Sequence, residues 1–119
     1  MNDFDAESYA SFWRERNQAE KNRIHKRMGE AHKEARRIAL KLINDAGVDK
    51  VALFGSLAEE SIRNEQFDID LAIWGGDRNK AEEIAEESTF KIDILEFEQL
   101  PPHIKKRIEL RGKVLQSRR

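Results

Sequence analysis

The chain has 119 residues, of which 22 are Lys or Arg and 23 are Asp or Glu, so its formal net charge is −1. This length is typical of one domain, and the near-neutral balance disfavours a nucleic-acid-binding protein, which is usually strongly basic. The absence of Cys excludes disulfides, cysteine-ligated metal sites and thiol catalysis. No apolar run approaches the ~18 residues that cross a bilayer, and the acidic start at residues 1–5 does not resemble a signal peptide. We therefore expect a soluble, cytoplasmic protein without a membrane partner.

Residues 1–46 are predicted to form a helical extension, and residues 47–119 a separate domain. Apolar side chains in the extension recur at alternating steps of four and three residues, the spacing of one stripe on a helix. The stripe consists of Ile24, Met28, Ala31, Ala35, Ile38 and Leu42. Upstream of it, beyond a polar stretch, the chain has a cluster of aromatic residues at Tyr9, Phe12 and Trp13.

Two architectures fit the extension. A single helix, at ~1.5 Å per residue, would reach well beyond a small domain, and the aromatic cluster would then contact a second copy of the chain or a partner protein. A break near residues 17–22 would instead give a helical hairpin that folds back on its own domain. The sequence leaves both alternatives open.

A short apolar run, Lys50–Phe54, is followed by Gly55 and Ser56 and then by a stretch compatible with a helix, Leu57–Ile62. A strand, a tight glycine turn and a helix in succession direct free backbone N–H groups toward an anion, and the helix dipole adds to the attraction. On its own this pattern is only a weak indication of phosphate binding.

Three carboxylates follow on two predicted strands. In residues 66–74 the side chains alternate between faces, so Asp68 and Asp70 share a face of a strand that is otherwise apolar. Neighbouring carboxylates both ionise readily only with a cation between them. In residues 90–97, Asp93 points away from its apolar neighbours, and it completes a three-carboxylate cluster if the two strands are adjacent. Such oxygen ligands suit Mg²⁺ shared with substrate phosphates, and two ions could assist nucleotidyl transfer.

The segments Leu53–Ser56, Asp68–Ala72 and Ile92–Ile94, in this order and spacing, resemble the DNA polymerase beta superfamily of nucleotidyltransferases. Within it, the chain is similar to the small bacterial and archaeal group called minimal nucleotidyltransferases, over residues 48–115. The resemblance implies an α/β (α+β) fold, in which a small mixed β-sheet with flanking helices follows the N-terminal helix or hairpin.

The resemblance also implies roles for individual residues. Gly55 and Ser56 would hold the triphosphate of ATP, and Asp68 and Asp70 would bind one or two Mg²⁺ ions. Asp93 would bind one metal ion and act as general base toward the acceptor hydroxyl.

One departure from the family pattern concerns charge. Members of the group usually have a basic residue soon after the Gly-Ser turn, whereas residues 57–60 are Leu-Ala-Glu-Glu. Arg63 is the candidate that could replace this charge at the nucleotide. Lys91, close to Asp93 in the sequence, is expected to point to the opposite face of its strand.

The resemblance implies a Mg²⁺-dependent nucleotidyltransferase that transfers a nucleoside monophosphate, preferentially AMP from ATP, to a hydroxyl on a protein partner. In the minimal group this partner is commonly a HEPN toxin, which would make the chain an antitoxin. The alternative is a catalytically weak or inactive nucleotide-binding module that neutralises a partner by contact, because Glu59 and Glu60 add negative charge. Nucleic-acid binding through residues 21–37 is the weakest alternative, since Glu30 and Glu34 interrupt the basic run.

Overall fold

The structure is a computed structural model that describes residues 6–118. In chain order its elements are α1 (Ala6–Ala46), β1 (Lys50–Phe54), α2 (Gly55–Ala58), β2 (Ile69–Trp74), α3 (Arg78–Glu86), β3 (Ile92–Glu96), a 3₁₀ turn (Phe97–Gln99), α4 (Pro102–Arg111) and β4 (Lys113–Ser117). The four strands form one sheet in the order β3-β2-β1-β4. Strand β1 is antiparallel to β2 and β4, whereas β2 and β3 are parallel. The predicted small mixed sheet with flanking helices is confirmed.

Helix α1 is continuous over 41 residues, so the hairpin alternative with a break near residues 17–22 is wrong. It ends at Ala46 because Gly47 adopts φ +68°, a left-handed conformation that glycine tolerates. Among residues 6–118, no helix is long and apolar enough to cross a bilayer. Residues 1–5, on which the expectation about a signal peptide rests, lie outside the described part of the chain.

The two halves of α1 differ in burial. Four members of the predicted stripe are fully buried, namely Ala31, Ala35, Ile38 and Leu42. Residues 12–23 are exposed throughout, however. The aromatic cluster packs on itself, with ring centroids 6.0 Å apart for Tyr9 and Trp13 and 5.8 Å apart for Phe12 and Trp13. The second half of α1 therefore belongs to the core, and the first half projects from it.

Side chains alternate across the sheet and contribute to two separate cores. On one face, Ile69, Leu71 and Ile73 of β2 pack in a cluster with buried side chains of α1 and α3. On the other face, a smaller cluster includes Ala72 of β2 and Ile108 of α4. Since Asp70 lies between Ile69 and Leu71 in the strand, its side chain is on the face that α4 covers.

Several predicted elements are shorter in the structure. The helix expected over Leu57–Ile62 extends only to Ala58, because Glu60 adopts a left-handed φ of 56° that cannot continue a helix. The two carboxylate strands begin only at Ile69 and Ile92. Helix α3 is capped at its N-terminus by Asp77, whose side chain accepts a hydrogen bond from the Lys80 backbone N–H at 3.2 Å.

Glu34 joins α1 to the connection between α3 and β3. Its carboxylate accepts two hydrogen bonds from Arg37, at 2.7 and 2.9 Å, and one from the Ser88 hydroxyl. The Arg37 bonds are the main cause that lowers the pKa of Glu34 to about 2. The hydroxyl of Ser88 in turn accepts the backbone N–H of Phe90 at 3.1 Å. This network fixes the segment that leads into β3.

We expect Glu34→Gln to destabilise the protein by about 1–2 kcal/mol at pH 7, because the charge-assisted hydrogen bonds are weakened. A lowered pKa means that the stabilisation is present above the unfolded-state pKa and is lost as the pH falls toward 2. Urea unfolding of both proteins at several pH values measures the difference. The stability difference between wild type and Glu34→Gln should shrink below about pH 4. A difference that does not change with pH contradicts the stabilising role of the Glu34 carboxylate. Glu30→Gln, on an exposed ion pair of the same helix, should change stability by less than about 0.5 kcal/mol.

Candidate active site

Asp70 and Asp93 lie side by side because their strands are parallel neighbours. The two residues are paired in the register of β2 and β3. In β3, Ile92 and Ile94 pack into the core with α1 and α3, so Asp93 is on the opposite face together with Asp70. The order of the strands thus brings together two carboxylates that are 23 residues apart in the chain.

The pKa of Asp70 is raised to about 6, from an ordinary value of 3.8. Burial is the largest cause, followed by the charges of Asp93 and Asp68 and a hydrogen bond with Asp93, whereas Lys91 lowers the pKa. Asp70 is therefore a partly buried carboxylate among like charges. Such an arrangement gains from a cation and is typical of functional sites.

Asp68 directly precedes β2, and its Oδ2 atom is 3.6 Å from Nζ of Lys91. The expectation that Lys91 points to the opposite face is wrong. Lys91 and Asp93 are two residues apart, so strand alternation places them on the same side, and the long side chain of Lys91 reaches Asp68. The side chain of Lys91 is 73% exposed and that of Asp68 is 42% exposed, so the ion pair is weak. Lys91 nevertheless places a positive charge among the carboxylates.

Gly55 forms a close backbone contact with Asp70. It follows Phe54, which is paired with Asp70 across β1 and β2. Gly55 has φ +78°, and a Cβ atom at this position would overlap Oδ2 of Asp70. The turn therefore requires glycine both for its backbone conformation and for the space that the carboxylate occupies.

A cavity of about 330 Å³ lies beside Asp68 and Asp70. Its volume is within the range of small-molecule sites, roughly 300–1,000 Å³. The other lining residues are Ser56, Ser61, Ile62, Arg63, Asn64, Gln66 and Phe67. The structure thus brings four of the sequence-predicted site residues around one space. Gly55 and Asp93 are not part of this lining, although both adjoin Asp70.

A second cavity, of about 300 Å³, shares Ser56 and Ser61 with the first. It is also lined by Gly55 and by a pair of charged residues from different elements, Glu59 and Arg107. Arg107 donates hydrogen bonds to the Glu59 carboxylate, from Nε at 3.0 Å and from Nη2 at 2.7 Å. These bonds are the main cause that holds the pKa of Glu59 below its usual value.

The negative charge that Glu59 adds after the Gly-Ser turn is therefore compensated by Arg107. Sequence reasoning missed Arg107 because no local pattern links it to a turn 51 residues upstream. Its partner Glu59 gave the only signal, as an acidic residue at a position where the family pattern favours a basic one.

A magnesium site depends on how many carboxylate oxygens converge at one point. Within residues 6–118, no group of three or more His, Asp or Glu side chains is arranged so that it could by itself hold a metal ion. Asp70 and Asp93 still provide adjacent carboxylate oxygens. Mg²⁺ is commonly bound by one or two carboxylates together with substrate phosphates. The residues therefore fit a magnesium ion that is shared with substrate phosphates.

Comparison with known proteins gives a family and a set of similar folds. A family model described as polymerase beta nucleotidyltransferase matches residues 36–119, which include the Gly-Ser turn and the three Asp residues. A search among curated proteins gave no significant match.

The solved structures that are similar to the chain include three toxin–antitoxin structures. A crystal structure of a toxin–antitoxin with AMP-PNP has a TM-score of 0.57 and 20% identity, and the match covers 69% of this chain and 73% of that one. The toxin–antitoxin MntA–HpeT, in a mutant with two Asp-to-Glu replacements, has a TM-score of 0.54, 21% identity, and coverage of 69% and 72%. A tri-AMPylated Shewanella oneidensis HEPN toxin in complex with MNT antitoxin has a TM-score of 0.52, 19% identity, and coverage of 71% of each chain. At these identities the likeness concerns the fold alone.

Proposed function

Since the chain belongs to the polymerase beta nucleotidyltransferase family, we propose that it transfers AMP from ATP, with Mg²⁺, to a hydroxyl on a protein partner. The observation that carries this proposal is the pairing of Asp70 with Asp93 beside the Gly55 turn. The cavity lined by Ser56 and Arg63 supplies space and a positive charge for the nucleotide next to Asp70.

Each part of the site has a role in this proposal. Ser56, the backbone of the Gly55 turn and Arg63 hold the triphosphate. Asp70 and Asp93, with Asp68 beside them, would hold Mg²⁺ together with the phosphates, and the ion would neutralise phosphate charge. Catalysis of this kind consists mainly of positioning and charge stabilisation, so side chains fixed on adjacent strands are well suited to it.

The acceptor hydroxyl gives its proton to the carboxylate of Asp93, and its oxygen forms a bond to the α-phosphorus. The bond from the α-phosphorus to the oxygen that bridges to the β-phosphate breaks, and pyrophosphate leaves with the electron pair of that bond. Asp93 lies next to Asp70 on the neighbouring strand. A base in that position acts on a hydroxyl near the carboxylates that hold the metal.

We place the acceptor on a HEPN-type toxin, with this chain as its antitoxin. The similar structures include a HEPN toxin, tri-AMPylated, in complex with an MNT antitoxin, and a toxin–antitoxin with AMP-PNP. The exposed aromatic cluster at Tyr9, Phe12 and Trp13 offers a contact surface for this partner, or for a second copy of the chain.

The test is transfer of label from ATP labelled at the α-phosphate, with Mg²⁺ and the protein encoded next to this gene. We expect label on the partner with the wild-type chain and none with Asp68→Asn/Asp70→Asn. Asp45→Asn/Asp49→Asn removes two exposed carboxylates at the far end of β1 and should label the partner normally. Absence of label with wild type, or equal labelling by both double variants, refutes the proposal.

The alternative is a nucleotide-binding module that neutralises its partner by contact, with negligible turnover. The observation that favours it is the Lys91 ammonium beside Asp68, which competes with a metal ion for the carboxylate. Inhibition of the partner by Asp68→Asn/Asp70→Asn separates the two proposals. Retained inhibition supports the contact mechanism, and lost inhibition supports chemical modification.

A further inference from the structure

The Gly-Ser turn lacks a basic residue in its own segment, and the fold brings one to it from α4. Glu59 is anchored to the turn because its backbone N–H donates to the carbonyl of Gly55 at 3.0 Å. Its side chain then binds Arg107, which is 48 residues further along the chain. The acidic residue therefore holds a cation at the position where the local sequence supplies none.

The contact geometry leaves part of the guanidinium available. An arginine has five N–H donors in a planar fork, and Glu59 uses the Nε donor and one Nη2 donor of Arg107. Both Nη1 donors and the second Nη2 donor remain on the other edge. The Glu59 side chain is only 16% exposed, whereas Arg107 is 63% exposed. The carboxylate is thus the fixed element, and the arginine extends from it toward solvent.

The charges around this contact are positive in sum. Nη1 of Arg111 lies 3.9 Å from the same Glu59 carboxylate, so two guanidinium groups face one carboxylate. Arg107 lines the second cavity together with Ser56, and Arg63 lines the first cavity, which also includes Ser56. A polyphosphate bound at Ser56 would therefore lie between two cations, Arg63 in the first cavity and Arg107 in the second.

We propose that Arg107 binds the polyphosphate of the nucleoside triphosphate and that Glu59 acts as its positioning residue. This inference rests on the proposed function, because it assigns a further binding residue to the same nucleotide site. Bidentate recognition of phosphate is the characteristic role of a guanidinium held in a fixed orientation.

Isothermal titration calorimetry with ATP and Mg²⁺ tests the proposed role of Arg107. Arg107→Met should weaken binding by about tenfold or more, since charge-assisted hydrogen bonds are lost. Arg107→Lys should give a smaller loss, because an ammonium keeps the charge but not the planar fork. Lys106→Met removes an equal charge from the neighbouring exposed position and should change binding less than twofold.

Two further probes separate the phosphates from the base. Arg107→Met should bind inorganic tripolyphosphate more weakly than wild type, by the same factor as for ATP. Its affinity for adenosine should equal that of wild type. Glu59→Gln should weaken ATP binding in the wild-type background and have no further effect in Arg107→Met, because the two residues act as one unit. Thermal unfolding followed by circular dichroism verifies that each variant is folded.

The outcomes distinguish this inference from the function on which it rests. If wild type binds ATP and Arg107→Met binds it equally well, the role of Arg107 is overturned and the proposed function stands. The role of Arg107 is also overturned if Arg107→Met weakens the binding of adenosine and of ATP by the same factor. If Glu59→Gln strengthens ATP binding, its positioning role is overturned. If wild type does not bind ATP with Mg²⁺, both proposals are overturned.

Discussion

Replacement of Asp93 by Asn is expected to slow nucleotide transfer by about 10²–10⁴-fold, the usual contribution of a general base. The amide has nearly the same size as the carboxylate but cannot take the proton of the acceptor hydroxyl. The fold should persist, because the change also removes a charge that raises the pKa of Asp70. Single-turnover transfer at saturating ATP and Mg²⁺ measures the chemical step, and ATP titration reports binding separately.

Glu96→Gln is the matched control for this variant. Glu96 is on the same strand, three residues further along, and its carboxylate lies 3.5 Å from Arg78. Residues three apart in a strand point to opposite faces, so the control removes a carboxylate from β3 without touching Asp70. Its transfer rate should remain within about twofold of wild type, since surface pairs of this kind contribute little. An Asp93→Asn variant that keeps more than a tenth of the wild-type rate excludes Asp93 as the general base.

Gly55→Ala should damage the site through the backbone. A residue with a Cβ atom at φ +78° is strained by roughly 1–2 kcal/mol, and this Cβ would overlap the Asp70 carboxylate. We expect the free energy of unfolding to fall by more than the backbone strain alone, because the overlap adds to it. Transfer should slow by about 10²-fold, because a displacement of about 1 Å at a reacting group has effects of this size.

Gly29→Ala is the control for the chemical change itself. Nothing lies within 4 Å of a Cβ atom at Gly29, in the middle of α1. The substitution should stabilise the protein by about 0.5–1 kcal/mol, because alanine favours the helix, and it should leave transfer unchanged. In the Gly55→Ala background, Asp70→Ala should recover part of the lost stability but no activity. Wild-type transfer by Gly55→Ala would show that the contact with Asp70 has no part in the reaction.

Local sequence patterns correctly predicted which face of a strand or helix a side chain occupies, because this depends on one element alone. Alternation along a strand is a property of the backbone alone, so the side of the sheet that Asp70 shares with Ala72 follows from sequence. The stripe from Ala31 to Leu42 likewise predicted the buried face of α1. The same rule accounts for Lys91, which lies two residues before Asp93 and on the same side, so the expectation of the opposite face misapplied the alternation.

By itself, the sequence determined the family, the carboxylate-bearing strands and the glycine turn, because each depends on residue spacing within a short segment. Only the tertiary structure decided that β2 and β3 are neighbours in register, that α1 runs unbroken, and that α4 brings Arg107 to Glu59. These features depend on contacts between residues far apart in the chain, where the packing of whole elements, and not local periodicity, selects the partner.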